Sequence, residues 1–378
     1  MSSAQRSEIY VGLMSGTSLD GVDVAVVDFG EFPPRLLHCA TMPYPSALRQ
    51  RLLDLCRTQT TSLHNLYSLD VELGEIYAQV VNSALADIQL AAGEVIAIGC
   101  HGQTIRHSPD SAFAYTAQIG DASRVAVLTG IATVADFRRK DIALGGQAAP
   151  LAPAFHRYLF RSDKEDRAVI NIGGIANITY LPADQGTAVL GFDTGPGNTL
   201  LDYWCQRHTD AAYDAGGDWA CSGSIDTELL ARMQAGEPYF QLDPPKSTGT
   251  EYFNPEWLNQ QLEDRAAAAD IQATLVELTA LTIADAIRKL PSYPSRSFVC
   301  GGGVHNHYLL ERLQLALPGS KVETTAALGL DPDFVEASAF AWLARERINL
   351  RTGNIAEVTR AKHDSILGAV YAVDSLTS

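Results

Sequence analysis

One aspartate has surroundings that suit a general base. Asp193 lies within residues 191–198, whose sequence is GFDTGPGN, and it follows an apolar stretch. A general base must be held rigidly, close to the substrate, where it can accept a proton. The small neighbours Thr194 and Gly195 would hold the carboxylate in place and leave room for a substrate. The alternative is that Asp193 caps the helix predicted to follow.

Polar side chains that follow two apolar stretches form a second candidate group. The stretches 95–100 and 131–135 are predicted to be buried strands. The first is followed by His101, Gln103 and Thr104, and the second by Asp136 and Arg138. Ligands of open α/β sheets bind at the carboxyl ends of strands. The amide and imidazole suit a sugar, and the arginine suits a carboxylate or phosphate. The alternative for His101 is a histidine that is satisfied in the core. The alternative for Arg138 is a solvated basic loop, in which Asp136 only pairs with neighbouring cations.

Three glycine-containing turns are candidates for nucleotide contact. They are residues 14–21 (MSGTSLDG), residues 172–177 (IGGIAN) and residues 301–303 (GGG), the last between a predicted strand and a helix. Glycine has no Cβ, so backbone N–H groups in such turns can lie close to phosphate. Two such hairpins suggest two lobes that grip one polyphosphate, and a glycine turn at a helix N-terminus suits a nucleotide. The alternative is a pair of ordinary β-hairpins.

The composition is that of a globular protein with an acidic surface. The chain has 378 residues, 46% hydrophobic and 19% charged, with a formal net charge of −16. This length favours two lobes, and the charge argues against nucleic acid or an anionic membrane as a partner. A phosphate site must then use backbone N–H groups and a bound cation. The six cysteines form no C-x-x-C pair, and no signal peptide or membrane span is predicted, so we expect reduced thiols in a cytoplasmic protein.

The order of predicted elements indicates mixed α/β sheets. Helical spacing of apolar residues predicts helices at 48–57, 68–91 and 270–289, and short apolar runs predict strands between them. We expect an N-terminal lobe over residues 1–145, with the first glycine turn and the sugar-site residues. Residues 146–378 are expected to form the C-terminal lobe, whose last segment packs back on the first lobe. No G-x-G-x-x-G or G-x-x-x-x-G-K-[ST] sequence is present, so neither a Rossmann dinucleotide site nor a P-loop is supported.

Seven segments, taken together, resemble the anhydro-N-acetylmuramic acid kinase family. They occur in the order of the family's motifs: residues 14–21 (MSGTSLDG), 100–104 (CHGQT), 135–139 (ADFRR), 171–177 (NIGGIAN), 192–198 (FDTGPGN), 245–249 (PKSTG) and 300–303 (CGGG). The resemblance extends from about Ile9 to Trp342. It implies the α/β fold of the actin, Hsp70 and sugar-kinase superfamily: a two-lobed actin-like ATPase (ribonuclease H-like) fold, with mixed sheets flanked by helices and a central cleft.

The resemblance implies a coupled reaction. Water attacks the anomeric carbon of 1,6-anhydro-N-acetylmuramic acid, the bridge opens, and O6 takes the γ-phosphoryl group of ATP. The products are N-acetylmuramic acid 6-phosphate and ADP, which places the enzyme in peptidoglycan recycling and amino sugar catabolism. Asp193 matches the family's catalytic aspartate, which activates the water, and Glu336 matches an acidic position associated with the same water. Read from the residues alone, Glu336 is an unexpected carboxylate in a small-residue helix. It indicates either a site that faces the cleft or only the preference for negative charge at a helix N-terminus.

The resemblance also implies the binding residues. We expect ATP to contact residues of the three glycine turns: Gly16, Thr17, Ser18, Leu19, Asp20, Gly21, Val22, Asp23, Gly173, Gly174, Asn177, Gly301, Gly302 and Gly303. The sugar is expected to contact Ser15, His101, Gln103, Thr104, Asp136 and Arg138. Mg²⁺ accompanies ATP without direct protein ligands, and Asp20 either holds it through water or only shapes its turn. A homodimer is expected by family analogy alone.

The sequence departs from the family at one position. A GGQGAP stretch is expected, but residues 145–150 read GGQAAP, with Ala148 in place of glycine. If this position needs a positive φ, alanine costs roughly 1 kcal/mol, and we expect slightly altered loop geometry with activity retained.

The competing functions are a conventional sugar or acyl kinase of the same superfamily, acting on a free hydroxyl, and a non-catalytic assembly protein of the actin type.

Overall fold

The computed structural model describes residues 7–58, 60–262 and 267–373. Its strands are β1 (Ile9–Ser15), β2 (Gly21–Asp28), β3 (Arg35–Pro43), β4 (Val95–Ser108), β5 (Tyr115–Ile119), β6 (Thr133–Ala135), β7 (Arg167–Ile172), β8 (Ile175–Leu181), β9 (Leu190–Pro196), β10 (Arg296–Cys300), β11 (Lys321–Thr324) and β12 (Ala369–Tyr371). Its α-helices are α1 (Ser46–Arg57), α2 (Leu63–Asp87), α3 (Ala122–Thr129), α4 (Arg139–Ala143), α5 (Ala152–Phe160), α6 (Asn198–His208), α7 (Asp218–Cys221), α8 (Thr227–Ala235), α9 (Pro255–Gln261), α10 (Ala268–Arg288), α11 (His307–Ala316), α12 (Val335–Ile348) and α13 (Ala356–Thr359). No described helix is long and apolar enough to cross a membrane.

The chain forms two compact units. The first contains residues 1–155 and 334–378, and the second contains residues 156–333. Each unit has its own mixed sheet flanked by helices, which confirms the predicted α/β class. The predicted lobes, residues 1–145 and 146–378, stay a prediction about domains.

The first unit is built on a seven-stranded sheet in the order β12-β6-β4-β1-β2-β3, with β5 paired to β4. Strands β1 and β2 are antiparallel, whereas β1 and β4 are parallel. Gly12 and Gly99 are register partners on β1 and β4. A Cβ built on Gly12 would lie 1.8 Å from Ala337 O, and one on Gly99 would lie 2.0 Å from Phe340 O. The paired glycines therefore let α12 lie directly against the backbone of the sheet.

The second unit is built on a five-stranded sheet in the order β11-β10-β7-β8-β9. Strands β7, β8 and β9 form an antiparallel meander, and β10 and β11 add parallel strands at the other edge. Helix α10 is buried along most of its length and packs against β8 and β9. Burial of this helix and of the meander gives the unit its own hydrophobic core.

Two local predictions were wrong, and both concern strand ends. The strand predicted to stop at Cys100 continues to Ser108, because the backbone of its later residues pairs with β5. Asp193, which was expected to follow an apolar stretch, lies inside β9 itself. The cap interpretation of Asp193 is also wrong, because the N-cap residue of α6 is Gly197.

Candidate active site

Asp193 is held by the loop that follows residue 244. Its carboxylate Oδ2 accepts hydrogen bonds from Ser247 Oγ at 2.9 Å and from the backbone N–H of Thr248 at 3.0 Å. Its main chain is fixed as well: the amide donates to Lys246 O at 3.1 Å, and the carbonyl accepts from Tyr239 Oη at 2.8 Å. Among the described residues, no donor reaches the other carboxylate oxygen, Oδ1. One oxygen thus orients the side chain, and the other remains available for a proton.

Burial raises the pKa of Asp193 from its ordinary value of 3.8 to about 6. The hydrogen bonds from Thr248 and Ser247 oppose this rise, nearby Glu251 adds to it, and Lys246 opposes it. Desolvation disfavours the charged form of a carboxyl group, so the side chain becomes a stronger base than an exposed aspartate. At neutral pH it is still ionised, which is the state that a general base requires.

A row of polar side chains crosses the sheet of the second unit. Asn171 pairs with Asn177 between β7 and β8, and Asn177 pairs with Asp193 between β8 and β9. Directly opposite residues share one face of a sheet, so these three side chains lie next to each other. The structure therefore brings together Asp193 and the predicted nucleotide residue Asn177, and adds Asn171, which we did not predict as a site residue.

The second glycine turn, Gly173 and Gly174, is anchored by the start of α6. Gly173 O accepts from Asn198 N at 2.8 Å, and Gly174 O accepts from Gly197 N at 2.9 Å and Thr199 N at 3.2 Å. These carbonyls satisfy helix N-terminal amides that otherwise lack partners. A Cβ added to Gly174 would make only an ordinary contact with Thr250, at 3.4 Å, so this position is not closely packed.

The third glycine turn contains two different kinds of glycine. Gly301 has φ +78°, and an added Cβ would lie 2.3 Å from Asn171 Oδ1; at Gly303 the added atom would lie 2.4 Å from Ile172 Cγ2. Both positions exclude a side chain for structural reasons. At Gly302 an added Cβ would make only an ordinary contact, with Asn198 Nδ2 at 3.7 Å. The helix predicted to follow this turn, α11, begins at His307.

The first glycine turn joins β1 and β2 as a hairpin, as predicted. Arg49 on α1 supports it by donating to Leu19 O at 3.0 Å and to Asp20 Oδ1 at 3.2 Å. The side chains of Leu19 and Val22 are buried in the core, so only their backbones could contact a ligand. A Cβ added to Gly16 would make only an ordinary contact, with Ser18 Oγ at 3.7 Å. The described residues contain no cluster of three or more His, Cys, Asp or Glu side chains that could hold a metal ion.

Ser15 and Gln103 connect this turn to β4. The two residues are register partners, and Gln103 Nε2 donates to Gly16 O at 3.1 Å. Ser15 Oγ donates to Gly102 O at 3.1 Å and lies 2.9 Å from Tyr77 Oη, a buried hydroxyl that sequence analysis did not single out. Both predicted sugar-site residues are buried. They brace the turn, whereas the side chain of Thr104 is turned to Gln118, which donates to its hydroxyl at 3.1 Å.

His101 and Arg138 form a direct pair. Arg138 Nε donates to His101 Nε2 at 3.0 Å, and Arg138 Nη1 donates to Ala148 O at 2.6 Å. A guanidinium can only donate, so Nε2 accepts and the ring proton of the neutral imidazole lies on Nδ1. Burial, with a further contribution from Arg138, holds the pKa of His101 well below its ordinary value. The pKa of Arg138 is lowered to about 10 by burial, against the opposing effects of Glu336 and Asp141. Sequence analysis placed both residues in the site but not in contact.

Asp136 pairs with Arg139, which agrees with the alternative that Asp136 only pairs with neighbouring cations of a basic loop. Arg139 Nε donates to Asp136 Oδ1 at 2.8 Å, and Nη2 lies 2.6 Å from Oδ2. Asp136 has φ +57°, a conformation that few non-glycine residues adopt. Both side chains line a polar cavity of about 390 Å³ within the first unit, together with His101 and Gln118.

Glu336 lies in the first turn of α12, the helix that packs on Gly12 and Gly99. Burial raises the pKa of this carboxyl group, Arg138 lowers it, and Asp23 raises it further. Helix α12 packs against β1, β2 and β4 within the same unit. A partly buried carboxylate near a cation and a second carboxylate suits a role in proton transfer.

Comparison with known proteins identifies the family. A family model described as anhydro-N-acetylmuramic acid kinase matches residues 8–373. The chain belongs to the anhydro-N-acetylmuramic acid kinase family. The prediction of this family from the seven segments is thus confirmed.

Proteins with this name are similar over nearly their whole length. Those from Pasteurella multocida (strain Pm70) and Saccharophagus degradans are 50% and 49% identical to the chain over 365 and 373 residues. The matches cover 96% of the chain and 96% of the first relative, and 97% of the chain and 99% of the second. The solved activator of 2-hydroxyisocaproyl-CoA dehydratase from Clostridium difficile with bound ADPNP matches at 12% identity and a TM-score of 0.45, covering 90% of this chain and 96% of the activator.

The individual site residues of this family member stay predictions. Sequence analysis missed the groups that orient Asp193, namely Ser247, Thr248 and Tyr239. The first two belong to the segment 245–249, whose role was unclear, and only its match to a family motif could have pointed to them. Asp141, which is completely buried, was also not predicted as a site residue.

Proposed function

We propose that the protein is an ATP-dependent kinase that opens 1,6-anhydro-N-acetylmuramic acid with water and phosphorylates O6. The products are N-acetylmuramic acid 6-phosphate and ADP, and the reaction serves the recycling of peptidoglycan amino sugars in the cytoplasm. Family membership with about 50% identity to kinases of this name supports the proposal. A conventional sugar kinase, which acts on a free hydroxyl, is the less favoured alternative.

The environment of Asp193 is the observation that carries the mechanism. A carboxylate that is oriented through Oδ2, has a pKa of about 6, and keeps Oδ1 for a proton is suited to deprotonating water. A conventional kinase could use the same group to deprotonate a sugar hydroxyl. The bond that is broken, and not the base, therefore separates the two functions.

The proposed reaction couples opening of the 1,6-anhydro bridge to phosphoryl transfer. Asp193 accepts one proton from water, and the water oxygen bonds to C1 of the sugar while the bond from C1 to the bridging oxygen breaks. The oxygen left on C6 then bonds to the γ-phosphorus of ATP, and ADP leaves. The bridging oxygen is both leaving group and phosphoryl acceptor, so no separate acid has to protonate it. An oxocarbenium-like opening of this kind needs a carboxylate next to the water.

We assign sugar recognition to the first unit. Arg138 uses Nε and Nη1 for His101 and Ala148, and among the described residues Nη2 has no hydrogen-bond acceptor. A guanidinium edge of this kind suits the carboxylate of a muramic acid. Ser15, Gln103, Thr104 and Asp136 remain proposed sugar-site residues, and Glu336 is proposed as the second acidic group of the reaction.

The glycine turns fit a polyphosphate. An added Cβ would make only ordinary contacts, at 3.4 Å or more, at Gly16, Gly174 and Gly302, so the backbone at these positions can be approached. We propose that these turns bind ATP. Mg²⁺, when bound, neutralises charge on the phosphates during transfer. Asp20 is exposed and pairs with Arg49, and a role in holding Mg²⁺ through water remains a proposal.

The first test is ATP turnover with 1,6-anhydro-N-acetylmuramic acid in ¹⁸O-labelled water, with rapid mass analysis of the product. We expect one labelled oxygen in each 6-phosphorylated sugar, because water supplies the C1 hydroxyl. The control is unlabelled product kept in the same water for the same time, which measures anomeric exchange. Turnover with the opened sugar only, and label no greater than in the control, would replace the proposal by a conventional sugar kinase.

Gly16→Leu is expected to weaken ATP binding by at least about tenfold, because the side chain would fill space that the phosphates need. The nearest atom to an added Cβ, Ser18 Oγ at 3.7 Å, leaves the fold unstrained. Titration calorimetry with ATP measures the effect. The matched control is Gly93→Leu in the same unit, where nothing lies within 4 Å of an added Cβ. Equal ATP affinity in the two variants would remove the first turn from the nucleotide site.

A further inference from the structure

A fully buried carboxylate, Asp141, accepts hydrogen bonds from two separate segments of the first unit. Its Oδ1 accepts from Asn354 Nδ2 and from Thr359 Oγ1, both at 2.7 Å, and its Oδ2 accepts from Ala148 N at 2.7 Å. Asn354 and Thr359 come from the chain segment that returns after α12. A buried carboxylate is costly unless donors satisfy it, so each of these bonds stabilises a defined position of the segments they join.

Ala148 is the residue on which this network acts. It is completely buried and has φ +55°, the left-handed conformation in which an alanine is strained. Its N–H points to Asp141, and its carbonyl accepts from Arg138 Nη1 at 2.6 Å. The position expected to be glycine in this family therefore does need a positive φ. The bond to Asp141 helps to keep alanine in that conformation.

The surrounding backbone connects the same two segments. Gln147 N donates to Thr359 O at 2.6 Å, and Lys362 N donates to Leu144 O at 3.0 Å. Asn354 is itself fixed, since its Oδ1 accepts from Ser365 N at 2.6 Å. The loop that carries Ala148 is therefore held against residues 354–365 at both ends.

We propose that Asp141, Asn354 and Thr359 are positioning residues that fix the Arg138 guanidinium for the anionic sugar. They act through Ala148: the carboxylate orients its peptide, the peptide carbonyl holds Nη1, and His101 holds Nε. The inference rests on the proposed function for the identity of the ligand, but the placement of Arg138 rests on the contacts alone. The segment after α12 thus belongs to the substrate machinery.

A purely architectural role of this network would have different effects on stability and on substrate affinity. If the network only attached residues 354–365 to the unit, weakening it would lower stability and leave the sugar KM unchanged. A positioning role changes the affinity for the sugar and leaves ATP binding intact, because within the described residues the hydrogen bonds of Asp141 lead to Ala148 and Arg138 and to no glycine turn. The two roles are therefore separated by comparing the KM values for the two substrates.

The test compares Thr359→Val with Thr359→Ser, since serine keeps the hydroxyl donor and valine removes it. For Thr359→Val we expect the KM for the anhydro sugar to rise about tenfold, the effect of one lost hydrogen bond to a charged group. The KM for ATP should stay within about twofold, and Thr359→Ser should restore the sugar KM. Hydrogen exchange of the peptide that contains Ala148 should accelerate in the valine variant only.

Each outcome decides the inference. Faster exchange together with a raised sugar KM supports it, whereas a lower thermal midpoint with an unchanged sugar KM overturns it. Unchanged exchange in Thr359→Val also overturns it, because the network would then not hold Ala148. If the wild-type protein forms no phosphorylated sugar, the proposed function fails, and the exchange measurement still decides whether the network holds the Ala148 peptide.

Discussion

Asp193→Asn is expected to lower turnover of the anhydro sugar by at least about 10³-fold, because an amide cannot accept the proton of the attacking water. The change keeps the size of the side chain, and the amide oxygen can still accept from Ser247 and Thr248. Steady-state ADP formation measures the loss. ATP affinity should stay within about tenfold of wild type, since the carboxylate serves the water and not the nucleotide.

The control for this variant is Asp210→Asn, an exposed aspartate of the same unit. It changes the net charge equally and should keep wild-type turnover. Near-normal turnover in Asp193→Asn would remove this residue from the mechanism, whatever the control shows. Lost ATP binding would point instead to a distorted second unit.

The pH dependence gives an independent check on the same residue. Burial raises the pKa of Asp193 to about 6, so the fraction of ionised base falls as the pH drops below that value. Wild-type kcat/KM should therefore decline toward acid with an apparent pKa near 6, and the residual activity of Asp193→Asn should lack that limb. A flat wild-type profile between about pH 5 and 8 would contradict the assignment.

The same raised pKa has an effect of opposite sign on stability. The folded pKa lies above the ordinary 3.8, so ionisation is less favourable in the folded protein, and stability is lost as the pH rises from 3.8 through about 6. Asp193→Asn removes this penalty and should raise the thermal midpoint at about pH 8 relative to wild type. An inactive yet more stable variant would show that the lost turnover does not come from misfolding.

The contrast between Asp193 and its partners shows what the sequence could reveal. Asp193 stood out because its neighbours are small, a local property of eight adjacent residues. The donors that orient it, Ser247 and Thr248, lie 54 and 55 residues away, and nothing in the composition of that loop pointed to this strand. The hairpin between β1 and β2 was predictable for the same local reason, since its strands adjoin their turn.

Long-range pairing explains the remaining failures. The extension of β4 to Ser108 depends on its pairing with β5, which periodicity within β4 does not encode. Asp141 bonds to Asn354 and Thr359, 213 and 218 residues away, so its burial could not be anticipated from its place beside a basic cluster. Ala148 was recognised as unusual only through the family motif, and its positive φ required the structure.

Gly12→Ala is expected to destabilise the first unit by at least about 3 kcal/mol, the upper range for overpacking a close-packed core. The added Cβ would lie 1.8 Å from Ala337 O and 2.6 Å from Ala341 N, which are backbone atoms of α12. Backbone atoms cannot rotate away as a flexible side chain can, so the whole helix must shift. Denaturant unfolding of the purified variant measures the change in the free energy of unfolding.

Gly93→Ala is the matched control, because no atom lies within 4 Å of its added Cβ. It should unfold at the same denaturant concentration as wild type, whereas a wild-type midpoint in Gly12→Ala would show that α12 does not lie against the strand backbone. The helix also carries Glu336, whose pKa responds to Arg138 and Asp23. Gly12→Ala molecules that still fold should therefore lose turnover more than ATP affinity, because a shift of α12 moves this carboxylate relative to the sugar-site residues of the same unit. The paired glycines on β1 and β4 thus allow α12, with Glu336 in its first turn, to lie directly against the sheet.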